Sequence, residues 1–163
     1  MEETRPWVVA HTKPRCEKKL RQHCERKGVA VTLPLVRTAH KYRGKTAVFE
    51  KPLFPGYVFL RLAQEERRIP MQSDYVANLL EVFDQQLFDR QLTEILVALE
   101  AGCEVRLAPA IGKGMRVNIK AGPLRGMEAW VEERYGANVV LLRLDFIGQA
   151  AAVKLDVADL EPA

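Results

Sequence analysis

Two groups of side chains carry the recognisable chemistry of this sequence, and in both it is the chemistry of contact. Pro52, Phe54, Pro55, Gly56 and Tyr57 stand just ahead of or at the mouth of an apolar run, Val58-Phe59-Leu60. Proline has no N–H to give to a sheet ladder, so Pro52 and Pro55 belong to a loop entering a sheet. Phe54 is then held on a stiff loop beside Tyr57, where core packing does not obviously claim it. A rigid aromatic loses little entropy on docking, which suits an interface anchor. The same two rings would also serve as core plugs, and the pattern alone leaves both readings open. The second group is cationic: Arg15, Lys19 and Arg26 with His23, then Lys41-Tyr42-Arg43 further along. Cations at this density meet phosphates, and a tyrosine between two of them can stack on a base. A solvated basic face with no ligand is the plainer alternative. There is no nucleotide-binding glycine loop and no nucleophile with an obvious base. His11, Cys16, His23 and Cys24 lack short paired metal-ligand spacing. The expectation is a binding protein with no cofactor and no metal.

Charge is distributed unevenly along the 163 residues. The net charge is +4, but residues 1–51 carry 13 Lys/Arg against 5 Asp/Glu, residues 52–102 carry 4 against 8, and residues 103–163 carry 8 against 8. A basic first third is the footprint of a surface that meets phosphates. Hydrophobic residues make up 48% and charged residues 28%, ordinary for a globular protein. No apolar stretch approaches the ~20 residues that span a bilayer, and the first residues have no apolar core like that of a secretory signal. Cys16 and Cys24 lie roughly 12 Å apart on one expected helix, beyond disulfide reach, and Cys103 would be left over. These features lead us to expect a cytoplasmic protein, away from membranes and without disulfides.

The elements that must position these groups follow from periodicity. Trp7 to Thr12 reads as a strand. Pro14 suits a first helical position, and the segment to Lys27 has no further breaker before Gly28. Cys16, Leu20 and Cys24 at i, i+4, i+8 form its apolar stripe, while Arg15, Lys19, Gln22 and Arg26 share an opposite face with His23 beside them. Val29 to Val36 is a strand interrupted by Pro34. His40 to Lys45 is a basic hairpin tip with Gly44 in the turn. A strand over residues 57–62, a short helix over Gln64–Met71, a strand over Val76–Phe83 and a helix over Asp84–Ala101 ending at Gly102 complete this part. Beyond residue 112 the helical period disappears. Met115, Val117 and Ile119 alternate with polar residues, Gly122-Pro123 and Tyr135-Gly136-Ala137-Asn138 make turns, and Val139–Phe146 and Ala150–Val157 read as strands. The fold class is therefore α+β: an N-terminal antiparallel α/β sandwich at residues 1–102, a linker at 103–112, and a small all-β barrel at 113–163.

These motifs resemble a known family. Trp7-Val8-Val9 before a helix, followed by Pro52-Leu53-Phe54-Pro55-Gly56-Tyr57-Val58-Phe59, is similar to the NGN domain of NusG transcription elongation factors. Gly114-Met115-Arg116-Val117 leading to Gly122-Pro123-Leu124-Arg125-Gly126 resembles the KOW motif that follows it. The resemblance covers nearly the whole chain in the right order. Arg43-Gly44-Lys45-Thr46-Ala47-Val48, the His23–Arg26 spacing and Ala129 are similar to specialised paralogs of the RfaH type.

The resemblance implies a transcription antitermination and elongation factor that raises processivity, acts as a monomer and is not an enzyme. It implies that Phe54, Pro55, Tyr57 and His11 contact the clamp coiled coil of RNA polymerase. It implies that Lys13, Lys19, His23 and Arg26 touch non-template single-stranded DNA, to which the residue patterns add Arg15, Lys41, Tyr42 and Arg43. It implies that Met127, Phe146 and Ile147 of the barrel meet a small-subunit ribosomal protein or the Rho termination factor, although barrel core is an equally good reading of each. A ribosome- or RNA-associated KOW structural protein is the competing reading. His11 stands where the RfaH type has tyrosine. Lys51 replaces a glutamate that helps hold that type's C-terminal domain helical, and the C-terminal segment favours strands by propensity.

Overall fold

In the computed structural model, which describes residues 5–109, 114–132, 135–136 and 138–162, the chain divides into two compact units. One comprises residues 1–34 and 54–86, the other residues 35–53 and 87–163. No helix among the described residues is long and apolar enough to cross a membrane.

The first unit is built on a four-stranded antiparallel sheet. Its strands are β1 (Trp7–Thr12), β2 (Ala30–Thr32), β5 (Tyr57–Arg61) and β6 (Val76–Glu81), hydrogen-bonded in the order β2-β5-β1-β6. β1 lies at the centre, opposing His11 to Tyr57 and Trp7 to Arg61 on β5. Alternation along the central strands sends Val8, Ala10, Val58 and Leu60 to one face. There they meet Leu20, Cys24 and Val29 in one buried cluster. Leu20 and Cys24 come from α1 (Glu17–Arg26). Burying a leucine of this kind contributes about 1.5–3 kcal/mol, enough for the two-residue stripe and its neighbours to hold a ten-residue helix that would be marginal alone. A Schellman motif closes α1: Gly28 N–H donates to the Glu25 carbonyl and Val29 N–H to the Cys24 carbonyl, with Gly28 at φ +78°.

The helix is shorter than its sequence suggests. Pro14 and Arg15 form a turn, with Arg15 in the left-handed region at φ +62°, and α1 begins only at Glu17. Cys16 therefore stands at the cap and not in the apolar stripe, and Glu17 takes the buried place. Similarly, the expected helix over 64–71 separates into a 3₁₀ turn at Gln64–Glu66 and the single turn α2 (Arg68–Met71). Glu66 anchors that turn, accepting from Ala63 N–H and pairing with Arg5 at 2.6 Å. These two hydrogen bonds hold its carboxyl below the usual carboxylate range.

The second unit holds β3 (Leu35–Tyr42) and β4 (Lys45–Pro52) as a two-stranded sheet, then α3 (Gln85–Glu100, from Leu87 onward), and a six-stranded antiparallel sheet. Pro34 separates β2 from β3, which is why the expected single strand over 29–36 is two. Arg43 (φ +50°) and Gly44 (φ +76°) form the two-residue turn of the hairpin, the type I′ geometry that matches strand twist. The six-stranded sheet runs in the order β12-β8-β9-β10-β11-β7. Its strands are β7 (Val105–Pro109), β8 (Met115–Ile119), β9 (Glu128–Val131), β10 (Val139–Leu144), β11 (Gln149–Lys154) and β12 (Leu160–Pro162). The α+β class, with strands and not helices at the C-terminus, is as the sequence suggests.

One segment differs. Residues 105–109, read as linker, form β7 and pair with β11 from Val105↔Val153 to Pro109↔Gln149. Pro109 is tolerated because it closes the edge strand. Residues 110–113 of the expected linker and Ala137 of the expected turn lie outside the described residues. α3 ends in a second Schellman motif at Gly102, with Cys103 N–H donating to the Ala98 carbonyl, so Gly102 stops the helix where expected.

Burial pushes the Cys24 thiol up to about 11, with the neighbouring Glu25 carboxylate adding to the effect. Brief alkylation at pH 8 should therefore modify half-buried Cys16 and Cys103 first and leave Cys24 untouched until denaturant unfolds the chain. Equal labelling of Cys24 and Cys16 by mass spectrometry would contradict the packing of α1 on the sheet.

Candidate protein and nucleic-acid interfaces

The aromatic turn is sorted by the structure into an inner and an outer ring. Phe54 is 1% exposed and sits edge-on to Phe59, with centroids 6.2 Å apart. This corrects the expectation that core packing leaves Phe54 unclaimed: its ring is a peg in the first unit's interior. Tyr57 is half-buried at the start of β5, and His11 is exposed opposite it on β1. Their rings stack at 5.3 Å with an interplanar angle of 29°. Pro55 is exposed on the turn between them. His11, Pro55 and Tyr57 thus form one aromatic edge at the end of the inner strands β1 and β5, and Phe54 supports it from inside.

That edge is stiff for reasons that lie in the backbone. Gly56 takes φ +90°, a conformation strained for any residue with a Cβ, and a Cβ placed there would meet the His11 ring at 3.7 Å. Thr12 N–H donates to the Gly56 carbonyl at 2.8 Å, and Tyr57 N–H donates to the Phe54 carbonyl at 3.2 Å. Gly56 N–H in turn donates to Oε2 of Glu17 at 2.9 Å. Glu17 is buried, so a carboxylate that would otherwise be costly to desolvate is stabilised by a charge-assisted backbone bond. Sequence reasoning missed Glu17. Its only signal was an acid at the first helical turn, where a capping role is the usual assignment.

The cations of the first unit are displayed along α1 and the turn before it. Lys13, Arg15, Lys19 and Arg26 are exposed. Lys19, Gln22 and Arg26 lie on the outer face of the helix, away from buried Leu20 and Cys24. Arg15 belongs to the preceding turn, so the expected helical stripe loses it. His23 is partly committed: its Nε2 lies 3.0 Å from the Ile69 carbonyl, leaving only part of the ring for a ligand.

In the second unit Lys41, Tyr42 and Arg43 stand at the hairpin tip, all exposed, with the Arg43 guanidinium 5.4 Å from the Tyr42 ring centroid. Beside them are exposed residues the sequence reading passed over, Phe49 (53%) and Val48 (62%). The signal was available: strict pairing from the turn puts Phe49 opposite Thr38, two residues along from His40 and on the same face.

Met127, Phe146 and Ile147 are all half-buried. Phe146 and Ile147 lie in a 3₁₀ turn at Asp145–Ile147 that packs on α3. Phe88 meets Phe146 edge to face at 5.9 Å, and the Gln91 amide both accepts from Asp145 N–H and donates to its carboxylate. Among the described residues no cluster of His, Cys, Asp or Glu is arranged to hold a metal ion.

Comparison with known proteins gives a family and a relative. A family model described as transcription termination factor NusG matches residues 5–96. The transcription termination/antitermination protein NusG of Lactococcus lactis subsp. lactis is 27% identical over 172 aligned positions, which span 95% of this chain and 91% of the relative.

The turn should be the most sensitive point of the exposed edge. Gly56→Ala forces a Cβ onto φ +90° and should lower unfolding free energy by about 1–3 kcal/mol. Glu17→Ala leaves the Gly56 N–H without its acceptor and should cost a similar ~1–3 kcal/mol. Urea titrations in which both variants match the wild type would show that the turn is not held in this way.

Proposed function

The chain belongs to the NusG family of transcription termination factors, and we propose that it acts as a termination/antitermination factor that rides on elongating RNA polymerase. Members of that family are transcription factors and not enzymes. In this proposal the edge formed by His11, Pro55 and Tyr57 grips the clamp coiled coil of polymerase. The observation that carries it is the stacked His11–Tyr57 pair beside a turn held by two backbone–backbone hydrogen bonds and by the bond from Gly56 N–H to the Glu17 carboxylate. A preorganised aromatic edge loses little freedom on docking, so more of its contact energy appears as affinity. Phe54 contributes indirectly by fixing the turn from within.

Lys13, Arg15, Lys19 and Arg26, with the outer part of His23, would track the non-template DNA strand exposed beside the moving polymerase. Lys41, Tyr42 and Arg43 would extend that contact from the hairpin. Holding the clamp closed and occupying the displaced strand would disfavour paused and terminating states and so raise processivity. The C-terminal sheet, through Met127, Phe146 and Ile147, would offer a second contact to a ribosomal protein or to Rho. In this reading residues 1–102 would meet polymerase and DNA, and the C-terminal sheet, which begins at β7, would meet this second partner, in a monomer working in the cytoplasm.

Two measurements test the proposal. Tyr57→Ala and His11→Ala should each weaken binding to core polymerase by roughly 30-fold, the loss of about 2 kcal/mol expected of an interface anchor, with unchanged melting. Wild-type affinity in both variants would reject the aromatic edge as the polymerase contact. Lys19→Ala with Arg26→Ala should flatten the dependence of log K on log salt for single-stranded DNA by about 0.7 per lost phosphate contact. An unchanged slope would leave α1 outside the nucleic-acid contact.

A further inference from the structure

The β3–β4 hairpin has two chemically different faces, and the pairing register assigns every residue to one of them. Directly opposed residues of antiparallel strands point to the same side, and alternate residues along a strand do so too. Tyr42 with Lys45, His40 with Ala47, Thr38 with Phe49, and Val36 with Lys51 therefore share one face. Lys41 with Thr46, Ala39 with Val48, and Arg37 with Glu50 share the other. The ring contact agrees with this division, since His40 and Phe49 lie diagonally across the ladder with centroids 5.8 Å apart.

The first face is aromatic and cationic throughout its outer half. Tyr42 and Phe49 are 69% and 53% exposed, and His40, Lys45 and Lys51 are also exposed. Arg43 at the turn lies over the Tyr42 ring. The hairpin's one acid, Glu50, is on the opposite face and pairs there with Arg37. Arg37 and Glu50 also line a cleft of ≈450 Å³ with Leu99, Cys103 and Glu104 of the same unit. Negative charge is thus kept off the aromatic face.

We infer that this face is a stacking platform for single-stranded DNA, with Tyr42, His40 and Phe49 each able to take a base and Lys45, Lys51 and Arg43 meeting the phosphates between them. The inference rests on the proposed contact with the displaced DNA strand and deepens it, because it names the side of the hairpin, the one that carries Tyr42 and not Lys41, and adds His40, Lys45, Phe49 and Lys51 to it. Exposed rings among cations suit bases and phosphates together: every base has a π-face, so the platform tolerates any sequence, while the cations supply attraction. A protein partner would be expected to bring a buried apolar centre with few charges, which this face does not mirror. The type I′ turn keeps the ladder in register to its tip, so the rings are held in place before the strand arrives.

The test is anisotropy of a fluorescent oligothymidylate bound to the full chain at several salt concentrations. Phe49→Ala and His40→Ala should each weaken binding by about 5-fold or more, the loss expected for one stacked base, and leave the salt slope unchanged. Val48→Ala, on the opposite face of the same strand, should bind like the wild type. Lys45→Ala should instead flatten the slope by about 0.7. Because Phe49 is half exposed, its loss should leave the melting curve in place, and binding to polymerase by Phe49→Ala should also stay at the wild-type level. Loss of polymerase affinity in Tyr57→Ala belongs to the separate contact and leaves this inference standing. Wild-type DNA affinity in both Phe49→Ala and His40→Ala would overturn it, as would an equal loss in Val48→Ala. Tighter binding of oligouridylate than of oligothymidylate, with the same sensitivity to Phe49, would reassign the platform to RNA and overturn the DNA reading.

Discussion

One hydrogen bond ties the two proposed contact surfaces of the first unit together: the backbone N–H of Gly56 reaches the carboxylate of Glu17 at 2.9 Å. Glu17 opens α1, the helix that displays Lys19 and Arg26, and Gly56 lies inside the turn that displays Pro55 and Tyr57. A buried carboxylate is costly unless paired, so this acid and this amide hold each other strongly. Neither the basic helix nor the aromatic edge can shift without breaking that bond. The unit therefore presents its stacked rings and its cations as one rigid arrangement, although they are separated by about forty residues in sequence.

Burial and exposure then divide the work between rings of the same short segment. Phe54 inside and Tyr57 outside are three residues apart, and the φ +90° at Gly56 is what allows the chain to turn between them. A buried phenylalanine supplies transfer energy and excludes alternative positions of the turn. The half-exposed tyrosine, stacked on His11, keeps a polar tip and an apolar body available at the surface. An all-exposed wedge would have to be ordered by its partner, and the entropy lost at that moment would weaken binding. Sealing one ring to position the other removes that cost in advance.

How much of this could be read from the sequence depends on the range of the interaction concerned. Strands over Trp7–Thr12 and Tyr57–Arg61 and stops at Gly28 and Gly102 were legible, because alternation and helix-terminating glycine act locally. The start of α1 was not: Pro14 suits a first helical residue, yet the Glu17–Gly56 bond and the left-handed Arg15 set the start three residues later. Phe54 was misplaced for a similar reason, since its pocket is formed with Phe59 after a turn whose direction only Gly56 decides. β7 was read as linker because its five residues carry no strong period, and its pairing partner β11 lies forty or more residues on. Among site residues, cations and tip aromatics were visible by type, whereas Phe49 required the register of a hairpin and Glu17 a long-range partner.

The hairpin shows why charge balance must be read in three dimensions. Along the sequence, Arg37, Lys41, Arg43, Lys45, Glu50 and Lys51 read as a basic stretch with one acid in it. In the ladder, Glu50 falls opposite Arg37 and both are removed from the face that carries the rings. An exposed ion pair contributes little to stability, about 0–1 kcal/mol, so stability is a weak reason for that placement. Its larger effect is electrostatic: the acid's charge is offset by its partner on the far side, and the aromatic face retains an undiluted positive field. A shift of one residue in register would put His40 and Tyr42 on the side of Glu50 and leave Phe49 alone on the other. The two-residue turn at Arg43-Gly44 prevents that shift, so the conformation of a single glycine-containing turn determines which chemistry the hairpin presents.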